Sequence, residues 1–484
     1  MSRTTRRYLS AGAGLLAICA LALYIHIRRS GSALAHYQAE LRARGEKLTF
    51  AELPYSISVT GLQNLAALTG GASGLSHSNR HPSSLEPMRF VAPGQARVLW
   101  REAEPFALDK KGKPDSGGWA DLTGSLRANE PAFAAIRQAL RDPPANLGAR
   151  PSALTAPIPY FVRFRTIAQA LSGAVIVHLH EGETTAAQAD LLALVGMARL
   201  NSEEYTLVAQ MIRVAIAGLG LADTWETLQA PDLTDPQLES LQKAWESVDL
   251  AAGLETGFMG VRAQAIEHWT DLREGGSLAK LRQQSLPTPA PSAGIDWDTV
   301  MSDCVYMPAY RVTSISEDEL LYLKTMTGIL DGLRSLNSGR LWREVKPCLD
   351  RFSPPNVLTN GVTSRLRYPL TSIMLPNFSR ATETAIHAEM FRRLAVATIA
   401  IQRFQLQHKS PPRNLAALVP GFLAATPVDI MSGQPICYLL KSDGTYVLYS
   451  VGNDGRDDGG DPGGGGKGKF GLWEGHDAVW PSVN

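Results

Sequence analysis

Residues 436–461, ICYLLKSDGTYVLYSVGNDGRDDGGD, hold two strand patterns followed by an acidic, glycine-spaced tail. Ile436 to Lys441 and Thr445 to Val451 alternate as strands do, and Asp443-Gly444 lies between them. An Asp-Gly pair tolerates the positive φ that a tight turn demands, so the stretch predicts a β-hairpin. Asp454, Asp457, Asp458 and Asp461 then place four carboxylates within eight residues. Like charges at that density repel unless a cation sits among them. The intervening glycines let the backbone bend so that carboxylates and carbonyls converge, and a hard oxygen-seeking ion, Ca²⁺ before Mg²⁺, is the natural partner. The competing reading is a solvated flexible terminus, which Gly463–Gly466 favours. The aromatic strand before the tail and Trp473, Val479 and Trp480 after it favour a segment that folds back.

Upstream of the hairpin, Ser379 to Gln407 reads as a long helix, ended by Pro411-Pro412. Further back, helical spacing repeats through residues 160–275. Ile167, Leu171, Ala174, Val175 and His178 recur at three and four, a turn at Glu181-Gly182-Glu183 follows, and Thr184 to Leu200 resumes the pattern. Ser202 to Leu221, Asp235 to Leu250, Leu254 to Leu272 and Glu317 to Leu336 predict more helices, with Asp235-Pro236 as a cap and first-turn pair. Such helices joined by short polar turns read as an α-hairpin stack, without a fixed repeat period. Asn129 to Arg141 predicts a helix with Phe133, Ile136 and Leu140 on one face. Residues 68–118, rich in Gly, Ser and Pro, read as loop, and 285–300 as a Pro-rich linker.

Tyr8 to Ile27 is twenty residues without an Asp, Glu, Lys or Arg. That length matches a helix crossing about 30 Å of hydrocarbon. An uncleaved signal anchor fits it better than a cleaved signal ending at Ala20-Leu21-Ala22, a lipobox at Leu16–Cys19, or a twin-arginine signal at Arg6-Arg7. Arg3, Arg6 and Arg7 precede the span and Arg28 and Arg29 follow it, a bias that puts the N-terminus inside and the bulk of the chain outside. No later segment reads as apolar for long enough to span, so a single-pass protein is expected.

The 484 residues suffice for two to four domains and a sizeable core. Lys+Arg 47 against Asp+Glu 46 leaves no basic field to attract nucleic acid. Cys19, Cys304, Cys348 and Cys437 form no CxxC pair, which disfavours a zinc knuckle. Cys304 and Cys348 could pair outside the cytosol or remain free thiols. His178-Leu179-His180-Glu181 reads as satisfied side chains rather than metal ligands, since alternate helical positions point apart. There is no Gly-x-Ser-x-Gly, His-Glu-x-x-His or phosphate-binding Gly loop.

From about Ala381 to Asn484 the chain resembles the C-terminal head of the major pseudopilin of bacterial type II secretion. Ala395 to Phe404 is similar to the end of that head's long helix, Ser410 to Leu418 to its turn, and Thr426-Pro427-Val428-Asp429 with Gly433 to Tyr438 to its Asp-Pro-Trp-Gly-x-Pro-Tyr segment. Tyr446 to Gly455 looks like the last strand and Asp-Gly turn, and Asp477-Ala478-Val479-Trp480 like the closing Asp…Trp. The resemblance implies a long helix on a small antiparallel sheet and a calcium-binding final loop. Asp454 and Asp477 are the best-matched ligands, with Asp457, Asp458 and Asp461 beside them. Tyr8–Ile27 lacks the pseudopilin leader and its acidic apolar helix, so an assembling pilus subunit is not expected. The membrane-anchored helical middle also resembles uncharacterised bacterial envelope proteins.

The expected architecture is therefore mainly α with a C-terminal α+β domain. It divides into a cytoplasmic tip and anchor (1–30), a stalk and loop-rich region (31–150), a helical domain (151–350), a linker (351–378) and the head (379–484). The expected role is structural or protein-interacting, at the bacterial inner membrane with the bulk periplasmic, among other envelope or secretion proteins. The alternative is an envelope hydrolase, which a pocket with convergent ionisable residues in the helical domain would favour.

Overall fold

The computed structural model describes residues 3–55, 59–75, 88–92, 95–101, 107–108, 114–115, 118–145, 158–276, 302–352, 357, 364, 367–375, 378–463, 473 and 476–481. Helices dominate, and the largest sheet has three antiparallel strands. The helices that build the site are α1 (Arg3–Ala43), α2 (Val59–Gly74), α3 (Trp119–Ala128), α4 (Glu130–Ala139), α5 (Ile158–His180), α6 (Thr184–Arg199), α7 (Leu207–Leu228), α8 (Asp235–Glu246), α9 (Leu250–Arg273), α10 (Met307–Thr313), α11 (Ile315–Asn337), α12 (Trp342–Asp350), α13 (Pro369–Met374) and α14 (Phe378–His408). Two small hairpins, β1 (Met88–Ala92) with β2 (Gln95–Val98) and β3 (Ala107–Leu108) with β4 (Pro114–Asp115), lie between α2 and α3. The C-terminal sheet is β5 (Cys437–Leu440), β6 (Tyr446–Ser450) and β7 (Ala478–Trp480), in that order.

Local chemistry sets most of these bounds. Gly182 adopts φ +76° at the turn between α5 and α6. Thr234 and Gln237 close a capping box around Pro236 at the start of α8. Asp249 caps α9 by accepting from the Ala252 amide at 2.8 Å. The helix expected from Asn129 forms as α4, burying Phe133 and Ile136. The stretch expected as loop from residue 68 instead begins inside α2. Its glycines do not break that helix, because Gly71 lies so close to α4 that a Cβ would meet Ile136 Cγ1 at 2.9 Å. The expected linker at 285–300 lies outside the described residues.

Helices α5, α6 and α7 stack as successive hairpins, and α9 packs between α7 and α11. Helix α14 lies along α7, α8 and α9 and also meets β6 and β7. One apolar core consequently runs without interruption from Leu68 on α2 through Trp245 and Trp269 to Ala395 and Trp480. Helix α7 is long and apolar enough by composition to cross a membrane, contrary to the reading that only the N-terminal segment is. It is nevertheless a core helix here, holding Arg213, Asp223 and Glu226 in buried positions.

Helix α1 is unbroken over its 41 residues. Its C-terminal half docks on the bundle through Leu34 and Leu41, which pack with Leu48, Ile266 and Leu323. Beside them Glu46 accepts from the fully buried Arg262 at 2.7 Å and pairs with Arg334, which also reaches Glu255 at 2.7 Å. Ile18, Leu21, Leu23, Tyr24 and Ile25 are all exposed.

Candidate functional site

The hairpin forms in the expected place, with Cys437 opposite Tyr449 and Leu440 opposite Tyr446. Gly444 takes φ +83° in the turn, and Asp443 accepts from the Thr445 amide at 2.9 Å. The third strand, β7, was not legible from alternation because it has only three residues. It pairs Tyr449 with Val479 and Ser450 with Ala478. Leu448 and Trp480 face the main core, while Val447, Tyr449 and Val479 form a separate apolar cluster on the other face. The Gly/Asp loop folds over that second face. A Cβ on Gly460 would press on Val447 and Tyr449 at 3.1–3.2 Å, and one on Gly452 would strike the His476 carbonyl at 2.3 Å. Both glycines also hold positive φ, so no other residue serves at either position.

Of the five aspartates singled out from the sequence, Asp477 is fully buried and Asp454, Asp457, Asp458 and Asp461 are exposed. Asp477 Oδ2 accepts from the amides of Gly460 at 2.7 Å and Asp458 at 3.0 Å. Its own amide donates to the Asp461 carbonyl at 3.1 Å. Asp457 Oδ1 accepts from the Tyr449 hydroxyl and the Gly459 amide, both at 2.9 Å. Asp454 and Asp461 each accept from the amide two residues on, closing local turns. Asp477 Oδ1 is buried and accepts no hydrogen bond among the described residues. Burial pushes the Asp477 carboxyl up to about 6, and the charges of Asp457 and Asp458 push the same way against its two amide donors. Burial also raises the Cys437 thiol to about 11, assisted by Asp457, Asp429 and Asp477.

Both ends of the loop are fastened to α14. Asn453 donates to Glu383 at 3.1 Å, and His387 Nε2 lies 3.0 Å from Asn453 Oδ1. The His387 ring stacks on Trp473 with centroids 4.0 Å apart, and Phe391 meets the same indole edge-on. Burial drives the His387 imidazole down to about 4, so it is neutral and donates its Nε2–H to Asn453. Asp429 adds a lock beneath β6. It accepts from the Met431 amide at 2.8 Å, the Ser450 hydroxyl at 2.9 Å and the Val451 amide at 3.0 Å. Neither this role for Asp429 nor the clamp by His387 was legible in the sequence. Their hydrogen-bond partners lie up to 22 positions away for Asp429 and 66 for His387.

The donor chemistry of the loop suits a hard cation: hard oxygens, one buried carboxylate oxygen without a partner, and four exposed carboxylates on a backbone bent by glycine. Among the described residues no three His, Cys, Asp or Glu side chains converge as a ready-made metal cluster. Asp454 and Asp461 in particular turn to their own backbone.

The helical region holds a cleft of about 790 Å³ between α3, α4 and the α5–α6 turn. At its base the fully buried Asp190 binds Arg137 at 2.7 Å and lies 3.4 Å from His178 Nε2, while His178 Nδ1 meets Glu183 at 2.8 Å. Glu181 accepts from Thr123 on the rim. Ionisable groups therefore converge on His178, whose Nδ1 is held by Glu183 while Nε2 faces the Oδ2 of Asp190, which accepts no hydrogen bond among the described residues. His180 is satisfied, stacked on Trp119 and 3.1 Å from the Trp100 carbonyl. The four cysteines are free thiols, with Cys304 exposed and Cys348 half-buried.

Comparison with protein-family models, curated proteins and solved structures finds no match to this chain.

Proposed function

We propose that this protein is a single-pass envelope protein whose helical bundle presents a pseudopilin-like head as a structural or protein-interaction module, the head's final loop closing on a calcium ion. The observation that carries the reading is the orphaned Oδ1 of Asp477. It is a buried anion beneath a loop of four exposed aspartates whose ends are held by α14. Asp477 would hold the ion together with Asp457 and Asp458, whose charges already bear on it, and Asp454 and Asp461 flank them. The ion supplies positive charge where burial disfavours a carboxylate. The chain's own contribution is to hold the loop ends in place. Support for the anchor comes from Tyr8–Ile27 and from the bare apolar side chains of α1 between Ile18 and Ile25. Near-balanced charge supports protein partners of the envelope rather than nucleic acid.

The test uses the full chain in detergent. Calcium at a hundredfold over its dissociation constant should stabilise the folded head by about 2.7 kcal/mol, and a chelator should remove that gain. Identical unfolding in calcium and chelator refutes the ion. Extraction of the expressed chain from bacterial membranes by alkaline carbonate refutes the anchor. The hydrolase reading rests on the acid-lined cleft alone.

A further inference from the structure

A second cavity, of about 330 Å³, lies where the head meets the bundle, among α7, α14 and the β5–β6 hairpin. Its walls combine three aromatic rings, Trp225, Tyr446 and Trp480, with three side-chain amides, Gln229, Gln402 and Gln405. Among the described residues no carboxylate lines it, and Lys441 is its single charged side chain. Trp225 stands edge-on to Trp480 with centroids 5.3 Å apart, and its enclosed indole N–H finds no acceptor among the described residues. Gln402 donates to the Leu228 carbonyl at 3.1 Å and so fixes the end of α7 as one wall. Gln229 and Gln405 are half-buried.

This composition selects a ligand class. A metal ion finds no carboxylate, and an organic cation that the rings could attract meets the ammonium of Lys441 in the same wall. A multivalent anion needs several cations, and Lys441 is one. A wholly apolar ligand would leave the amides without partners, which costs desolvation free energy. A neutral molecule with hydroxyls around its edge and C–H groups on its faces satisfies both kinds of wall. Amides exchange hydrogen bonds with hydroxyls in either direction, and indoles offer flat apolar surface with a polar edge. The volume sits at the lower end of small-ligand sites, enough for a sugar unit rather than a long chain.

We propose that the cavity at the head–bundle junction binds a neutral saccharide, seated against Trp225 and Trp480 and held by Gln229 and Gln405. The proposal is independent of calcium and of the membrane anchor. Because the site draws on both α7 and the hairpin, a bound sugar ties the head to the bundle.

The experiment titrates the purified full chain, in a detergent without a sugar headgroup, with N,N′-diacetylchitobiose and with cellobiose, read by saturation-transfer NMR and calorimetry. Saturable binding of at least one disaccharide is expected, at a dissociation constant of about 1 mM or tighter. Gln229→Ala/Gln405→Ala, which touches no core side chain, should weaken it by about fivefold or more. Trp225→Phe should weaken it comparably, with circular dichroism reporting that the fold is kept. Absence of saturable binding of either sugar up to about 10 mM overturns the proposal. So does binding that neither variant changes.

Discussion

Replacing Asp477 by asparagine tests the buried-charge argument directly. The carboxyl of Asp477 sits near 6 in the folded chain against an ordinary 3.8. A carboxylate whose folded value is raised favours the protonated native state, so its charge destabilises the fold as pH rises from about 4 through 6, and the effect levels off above that. The rise from 3.8 to about 6 corresponds to about 3 kcal/mol at pH 7.5, fully developed only when no cation is bound. Asp477→Asn keeps one carbonyl oxygen for the Gly460 and Asp458 amides and removes the charge. In chelator, the gain of the variant over the natural chain should therefore be larger at pH 7.5 than at pH 4, by up to about 3 kcal/mol. Calcium should erase the difference by stabilising only the natural chain. A 484-residue protein melts with an entropy of about 1 kcal/mol/K, so a global melting shift would be only about 3 °C. Hydrogen exchange of the Asp458 and Gly460 amides is the sharper assay, since these two are the groups Asp477 holds. Comparing variant with natural chain cancels other buried acids that titrate nearby, such as Asp318, raised to about 6 by burial. If the variant gains no more over the natural chain at pH 7.5 than at pH 4, the buried charge is not what strains the loop.

The packing yields four more expected outcomes. His387 should titrate below pH 5 by proton NMR, because burial lowers it to about 4; the stability it confers is present above about 6.5 and lost as pH falls toward 4, and a midpoint near 6.5 would overturn the stacked clamp. Glu46→Ala leaves the fully buried Arg262 without its carboxylate and should cost about 3–5 kcal/mol in denaturant unfolding, with α1 becoming protease-sensitive near residue 45. Gly260→Ala would place a Cβ 1.6 Å from the Tyr205 carbonyl and should destabilise by about 3 kcal/mol or more. Gly124→Ala, with open space around it in α3, should instead stabilise by about 0.5–1 kcal/mol, and the two together separate crowding from helix propensity in one melting series.

Much of the architecture was written locally. Glu181-Gly182-Glu183, Asp235-Pro236 and Asp443-Gly444 each fix a turn or helix start through the φ and hydrogen-bond preferences of those residues alone, and each lies where expected. The long helix before the hairpin formed within a residue of its expected ends, spanning Phe378 to His408. Gly71 misled because a glycine needed for close helix contact looks the same in sequence as one that ends a helix. The two roles differ only in what faces the missing Cβ.

Neighbouring residues alone were enough to establish that helices prevail, that an apolar segment leads the chain, and that glycine-spaced acids follow a hairpin. Propensity and periodicity act over a few positions, so such features can be read from a few positions. Which acid is buried was settled by the assembled fold. Asp477 lies inside because β7 pairs with β6, and Asp429 because its donors arrive from Ser450 and Val451. The fold also joined head and bundle through α14, whose faces serve both. Burial and charge depend on what long-range folding brings within a few ångströms, and no local pattern encodes that.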